Sequence, residues 1–307
     1  MATQSHKTIL EQVYDYQTRL QGVANDLAVK LAAVALKTND DVAKFIANNL
    51  PWRKRAIKAE LDRMNKLIAK VEEIRKPTYA AAKDLILSTS ADVLQSGTDE
   101  TAKEFNMALG DAARKEREKR FCKTLTPQQQ KAILDGQSIS GATIADWFKN
   151  WQRKDLETIS SACQRASVEE LTVRDIYRLI RGTKENNYSD GVLATTQAGA
   201  VTLARTIING VSNNARVEWI KENSDVIDGI KFLGTLDGKT CPYCASLDGY
   251  IWRGEDMGQA RRPPIHPNCR CTLIPYVELK DDEGNVVDVD TERPAANADF
   301  DQLAKEA

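Results

Sequence analysis

Six apolar positions near the N-terminus, Ile9, Val13, Tyr16, Leu20, Val23 and Leu27, step by 4, 3, 4, 3 and 4 residues. That rhythm places them on one stripe of a helix, and the stripe has to bury against another helix. Val34 continues the row after a break at Lys30. Thr38 followed by Asp40 and Asp41 predicts a fresh helix start. A second periodic run holds Ile57, Leu61, Met64, Ile68 and Val71, with Arg53, Lys54, Arg55, Lys58, Glu60, Asp62, Arg63 and Lys66 on its other faces. Pro77 is expected to kink or end this helix, because it lacks an N–H and clashes with the preceding turn. Residues 79–95 and 98–120 read as further helices. None of the runs reaches several unbroken heptads, so the pattern predicts a helical bundle rather than a committed coiled coil.

Composition supports this reading. Glycine (16) and proline (9) are scarce among 307 residues, which favours helix and excludes collagen-like and Gly/Pro-rich classes. The 42% apolar share excludes a wholly disordered chain. No stretch of 18 apolar residues is present, so no membrane partner is expected. The N-terminus lacks a secretory apolar region, which predicts synthesis in a cytosol. The net charge of −1 hides an asymmetry. From Glu278 to Ala307 ten acids face three bases, a net of −7, so residues 1–277 carry +6. A basic body with an acidic tail suits a polyanion or an acidic partner, and equally suits ordinary solvated helix faces.

The segment Arg114-Lys115-Glu116-Arg117-Glu118-Lys119-Arg120 is charge-dense but carries no aromatics for base stacking, and reads as a solvated helix face. Thr126-Pro127-Gln128-Gln129 is a helix start with a capping box, and Ser167-Val168-Glu169-Glu170 repeats that logic. Loops are predicted from Gly136 to Gly141 and from Gly182 to Gly191, with Trp147, Phe148 and Trp151 as core anchors between them. A long helix follows, with Val201, Ala204, Ile208, Val211 and Ala215 on one face. After Gly229 the texture changes. Lys231–Thr235, Tyr250–Trp252 and Thr272–Val277 read as short strands, Asp237-Gly238 and Asp248-Gly249 as turns, and Glu283-Gly284-Asn285 as the centre of a last hairpin.

This last region holds the chemistry. Four of the six cysteines, Cys241, Cys244, Cys269 and Cys271, fall within 31 residues, and His266 is one of only two histidines. The pattern is Cys-Pro-Tyr-Cys, then His-Pro-Asn-Cys-Arg-Cys, with 24 residues separating Cys244 from Cys269. A Cys-x-x-Cys turn aims two thiolates at one metal, and a second element alongside completes a tetrahedron, so a structural zinc ion is one reading. Five candidate ligands compete for four positions. Cys269 and Cys271 lie on the same side of an extended strand, so both can ligate; alternatively His266 replaces one of them. Reduced cysteines packing a turn-rich fold, disulfides, and a Cys–His nucleophile–base pair are the other readings of the same residues. Cys122 and Cys163, in helical stretches, read as small buried apolar groups.

Gly234-Thr235-Leu236-Asp237-Gly238-Lys239-Thr240-Cys241-Pro242-Tyr243-Cys244-Ala245-Ser246-Leu247-Asp248-Gly249, followed by Arg262-Pro263-Pro264-Ile265-His266-Pro267-Asn268-Cys269-Arg270-Cys271, resembles the signature of tailed-phage head morphogenesis proteins, the Mu F-like minor head protein family. The preceding Ala204-Arg205-Thr206 and Asn214-Ala215-Arg216 are similar to the family's lead-in. The resemblance covers roughly residues 150–277. It implies a non-enzymatic virion component, made in the host bacterial cytoplasm and held inside the head near the portal. Its implied partners are the portal protein, other capsid proteins and packaged DNA, and its implied roles are head assembly, DNA packaging and ejection. A DNA-binding protein of the virion interior and a Cys/His hydrolase used in entry are the rival readings.

The expectation is therefore a mainly α protein. Residues 1–125 form an extended region of long helices, and 126–228 the helical part of the head-morphogenesis module. Residues 229–279 form a small turn-rich α+β Cys/His subdomain with short strands, and 280–307 an acidic tail. Cys241, Cys244, His266, Cys269 and Cys271 are the candidate zinc ligands, and no residue is assigned to catalysis.

Overall fold

The N-terminal stripe forms helix α1, Ala2–Leu36, in a computed structural model that describes residues 2–50, 57–108, 123–235, 237–280 and 286–287. Val13, Tyr16, Leu20 and Leu27 are buried as their spacing requires, but Val23 is 39% exposed. Beyond Leu20 the buried row passes to Ala24, Leu27, Ala28, Leu31 and Ala35. A straight helix turns every 3.6 residues, so a strict 3.5-residue rhythm drifts off the buried face.

Helix α2 spans Asn39–Asn49 and starts where Thr38 predicts it. The Thr38 hydroxyl makes no cap bond; it pairs instead with the Thr78 hydroxyl at 3.0 Å. Helix α3 spans Ile57–Ala108, 52 residues, and continues through Pro77. The expected break at Pro77, and the division into helices at 79–95 and 98–120, are therefore corrected up to Ala108. Beside Pro77, Arg75, Thr78 and Tyr79 are all buried and hydrogen-bonded to neighbouring elements. Tertiary contacts there outweigh the local cost of about 3 kcal/mol for an interior proline. The charge-dense stretch Arg114–Arg120 and Cys122 lie outside the described residues.

Helix α4, Pro127–Asp135, carries the predicted capping box: Gln129 N–H donates to the Thr126 hydroxyl and the Gln129 side chain accepts from the Thr126 N–H. Helix α5, Ile144–Val168, buries Phe148 and Trp151 and leaves Trp147 half-buried. The start expected at Ser167 is corrected, because α5 ends there. The next helix, α6, is Val173–Arg181, capped by Thr172, whose hydroxyl accepts from Asp175 N–H at 3.2 Å. Glu170, at φ +52°, sits in the left-handed region that stops α5 before the better cap.

Helix α7, Leu193–Glu222, was expected to bury one face. Every residue from Thr206 to Val217 is buried, so this segment is enclosed on all sides. Its polar side chains are accordingly paired. Arg216 makes a two-pronged contact with Glu104, 2.9 Å from Nη2 to Oε1, and stacks 4.7 Å from the Tyr16 ring centre. Burial opposes the charge, but Glu104 holds the Arg216 guanidinium above its ordinary pKa range. Gly210 is small because Ile139 takes the space: a Cβ there would lie 2.3 Å from Ile139 Cγ2.

Strand β1, Gly229–Leu233, is the centre of a three-stranded antiparallel sheet. It pairs with β2, Ile251–Arg253, and with β3, Thr272–Tyr276. Between them lie a short helix α8, Pro242–Leu247, and a 3-10 turn, Gly254–Gln259. Two further strands, β4 (Leu279–Lys280) and β5 (Val286–Val287), form the expected last hairpin. Residues 288–307 of the acidic tail lie outside the described residues. The mainly α class with a small C-terminal sheet holds.

The described residues divide into two compact units. One draws on Met1–Ala24, Thr89–Ile144 and Arg205–Ala307, and holds α7 and the sheet. The other draws on Asn25–Ser88 and Ala145–Ala204, around a core including Val42, Ile46, Val71, Ile159 and Ile176. Cys163 lies in that second core, fully buried, its thiol pushed up to about 12 by burial. Among the described residues no helix is long and apolar enough to cross a membrane.

Candidate metal centre

The loop after β1 brings the first two thiols into position. Asp237 accepts from Lys239 N–H at 2.9 Å, and Thr240 N–H closes onto the Asp237 carbonyl at 3.0 Å. Cys241 is then the N-cap of α8, with Pro242 in the first turn, and its Sγ accepts from Cys244 N–H at 3.3 Å. A cap residue and the third helical residue lie on the same side of a helix start, so Cys-Pro-Tyr-Cys presents both sulfurs together. The second element is a turn in which Cys269 N–H donates to the His266 carbonyl at 3.1 Å, with Asn268 at φ +61°. Cys269-Arg270-Cys271 then leads directly into β3.

Helix α7 grips this second element. Asn209 Nδ2 donates to the carbonyls of Cys269 (2.9 Å) and Cys271 (3.2 Å). Asn213 Nδ2 donates to the Cys271 carbonyl at 3.2 Å while its Oδ1 accepts from Leu273 N–H at 2.9 Å. The Thr206 hydroxyl accepts from Asn268 N–H at 3.1 Å. Thr206, Asn209 and Asn213 follow an i, i+3, i+7 spacing on one face, and all are buried. Reading the sequence for ligands passed over them. The signal available was amides recurring at helical spacing in an otherwise apolar helix.

The five candidate ligands fall into two overlapping groups of three here. The ligand atoms of Cys241, Cys244 and His266 lie within 4.8 Å of one another, as do those of Cys244, Cys269 and Cys271. Cys244 belongs to both groups. Its Sγ stands 3.4 Å from His266 Nε2 and 3.9 Å from Cys269 Sγ. A tetrahedral zinc ion with Zn–S of about 2.3 Å and Zn–N of about 2.0–2.1 Å sets ligand–ligand edges of about 3.8 Å for S–S and about 3.6 Å for S–N. Both contacts at Cys244 lie close to those edges. His266 is oriented for the role: Nδ1 bonds the Pro267 carbonyl at 2.9 Å and so carries the proton, which leaves the Nε2 lone pair facing Cys244. A cavity of about 20 Å³, room for one water-sized species, is lined by Cys241, Cys244, His266 and Cys271.

The electrostatics fit a cation. Cys244, Cys269 and Cys271 are each at most 3% exposed, and so close together that they cannot all ionise alone. Hydrogen bonding to Cys269, then to Cys271, holds the Cys244 thiol well above its usual range. The bond from Cys244 draws Cys269 down as the thiolate of the group. Outside the cluster, Arg270 forms a two-pronged pair with Asp237 and keeps that carboxyl below the usual range. The His266 Nδ1 partner is a backbone carbonyl, not the carboxylate that orients the base in a nucleophile–base pair.

Residues 140–274 match the family model described as Phage Mu protein F like protein. This segment is similar to the Mu F-like family of phage proteins. The Mu F-like match takes in α5 to α8 and β1 to β2, most of β3, and all five cluster residues. No curated protein and no solved structure matches the chain.

The amide clamp is testable. Asn213→Leu leaves the Leu273 N–H and one acceptor site of the Cys271 carbonyl buried without this partner, a loss of about 1–3 kcal/mol. Because the clamp orients the strand bearing the candidate ligands Cys269 and Cys271, metal affinity should fall about 10–100-fold. Chemical denaturation and competition with a chromogenic chelator measure the two effects. Unchanged metal affinity in a destabilised protein would confine Asn213 to a packing role.

Proposed function

We propose that this protein is a minor head protein of a tailed-phage virion. It associates with the portal, inside the head, and acts in head assembly and in DNA packaging or ejection. It is non-catalytic, and Cys241, Cys244, His266, Cys269 and Cys271 supply the ligands of one structural zinc ion. On this reading residues 1–125 are an extended helical region, 126–228 and 229–279 make up the head-morphogenesis module, and 280–307 are an acidic tail.

The observation that carries the reading is the pair of Cys/His triads joined at Cys244 within the Mu F-like segment, with the Cys269 and Cys271 backbone gripped by a buried helix of the same segment. The small sheet has three strands of at most five residues, and such a subdomain gains from a metal cross-link. Five candidate ligands are enough to close a four-coordinate site, and closed sites hold structure, whereas catalytic zinc keeps an open position.

Proheads purified from infected cells and dissociated to portal rings test the placement. The protein should travel with the rings, and its recovery only with free capsid subunits or in the soluble fraction overturns it. Elemental analysis of the purified chain should give about one zinc per chain, as a single tetrahedral site requires. A metal-free protein with normal folding overturns the zinc assignment.

A further inference from the structure

The five candidate ligands are not all mutual neighbours. The ligand atoms of Cys241, Cys244 and His266 lie within 4.8 Å of one another, and so do those of Cys244, Cys269 and Cys271, but among the described residues no group of four is that close. A tetrahedron of zinc ligands needs six edges of about 3.6–3.8 Å. The arrangement is therefore two triangles that share a corner. That corner is Cys244 Sγ, and one edge of each triangle already has coordination length. It is 3.4 Å to His266 Nε2 in the first and 3.9 Å to Cys269 Sγ in the second.

Different elements hold the two triangles. Cys241 and Cys244 are spaced by the first turn of α8, through the bond from Cys244 N–H to Cys241 Sγ. Cys269 and Cys271 are held by α7, whose Asn209 donates to both of their carbonyls. The settings differ too. Cys241 and His266 are half-buried and line the small cavity together with Cys244, so solvent can complete the shell of an ion held there. The second triangle is three buried thiols, a ligand set that suits soft cations. A thiolate has lone pairs enough to bind two metal ions at once. Charge points the same way. The four cysteines as thiolates carry −4, so one divalent ion leaves −2 and two leave none, and uncompensated charge is costly at a buried site.

We propose that the cluster has a second place for a soft cation besides the structural zinc. With both places filled, Cys241, Cys244 and His266 hold one ion, Cys244, Cys269 and Cys271 hold the other, and Cys244 Sγ bridges them. This rests on the reading of the cluster as a zinc site. The second ion binds more weakly, because it has three protein ligands and shares one of them, so it enters on titration. Adding excess cadmium ion to the purified full chain tests it, read by metal retained after gel filtration and by ¹¹³Cd NMR. About two ions per chain should be retained, one for each triad, with two ¹¹³Cd signals scalar-coupled through the shared sulfur. Cys241→Ser and Cys271→Ser each break one triad and should each lower the count to about one. Saturation of the unaltered chain at about one ion, two uncoupled signals, or a folded Cys241→Ser or Cys271→Ser chain that still retains two ions overturns the bridged pair and leaves the structural zinc standing. A chain that is purified without zinc and takes up no cadmium overturns both. The count on the unaltered chain decides the matter even where a variant does not fold.

Discussion

Cys244→Ser is expected to lose more metal and more stability than any other single substitution among the five candidate ligands. Cys244 alone is shared by both close groups, and it is only 1% exposed. Its removal breaks the link between the α8 turn and the Cys269-Arg270-Cys271 strand. Structural zinc contributes about 10–16 kcal/mol of apparent binding free energy in small zinc folds, and that binding is folding energy. Even a loss of about 4 kcal/mol lowers the melting temperature by roughly 8–16 °C at this scale. Cys241→Ser and Cys271→Ser each remove a member of one group only and should cost less. Cys163→Ala, in the other unit, should leave metal content unchanged. Metal content by elemental analysis and melting by circular dichroism read the series. Equal effects at Cys241, Cys244 and Cys271 would show that the ion does not centre on Cys244.

The second large effect is expected far from the metal. Arg75 and Asp155 have fully buried side chains and meet twice, at 3.0 Å from Nε to Oδ2 and 3.0 Å from Nη2 to Oδ1. Asp155 also accepts from the Tyr79 hydroxyl at 2.7 Å and from the Thr196 hydroxyl. Arg75 Nη1 donates to Asn39 Oδ1 at 2.8 Å and to the Ala35 carbonyl at 3.1 Å. Burial, then the Asp155 charge, holds the Tyr79 phenol protonated far above its ordinary range. Asp155→Ala strands a buried guanidinium and should cost about 3–5 kcal/mol. Arg75→Met combined with Asp155→Leu removes both charges and should recover much of that loss, because an apolar pair of similar volume carries no desolvation cost. Urea denaturation of the two singles and the double measures the coupling. Additive losses would mean that the pair is not the source of the effect.

Much of this protein is legible one residue type at a time. The stripe Val13, Tyr16, Leu20 predicts α1, Thr126 with Gln129 predicts the start of α4, and the spacing of Cys241, Cys244, His266, Cys269 and Cys271 predicts their meeting. Each of these signals is local, or rests on chemistry that only a few residue types can perform. The failures are equally specific. Pro77 stops a helix in isolation, but here the paired side chains around it hold the chain helical. Ser167 looks like a cap, but Thr172 with Asp175 makes a better one five residues later. The all-round burial of Thr206–Val217 was not visible, because Asn209, Asn213 and Arg216 read as surface residues until their partners are known.

By itself, then, the amino-acid order determined the helical class, the small C-terminal sheet and the set of candidate ligands, since backbone periodicity and thiol chemistry act at short range. Only the tertiary structure decided which amides grip the Cys269–Cys271 strand and which charges are buried as pairs. Those outcomes depend on groups 58 to 112 positions apart, such as Asn213 with Cys271 and Arg216 with Glu104. The free energy of burying a polar group is set by the partner it meets, and no window of sequence contains both.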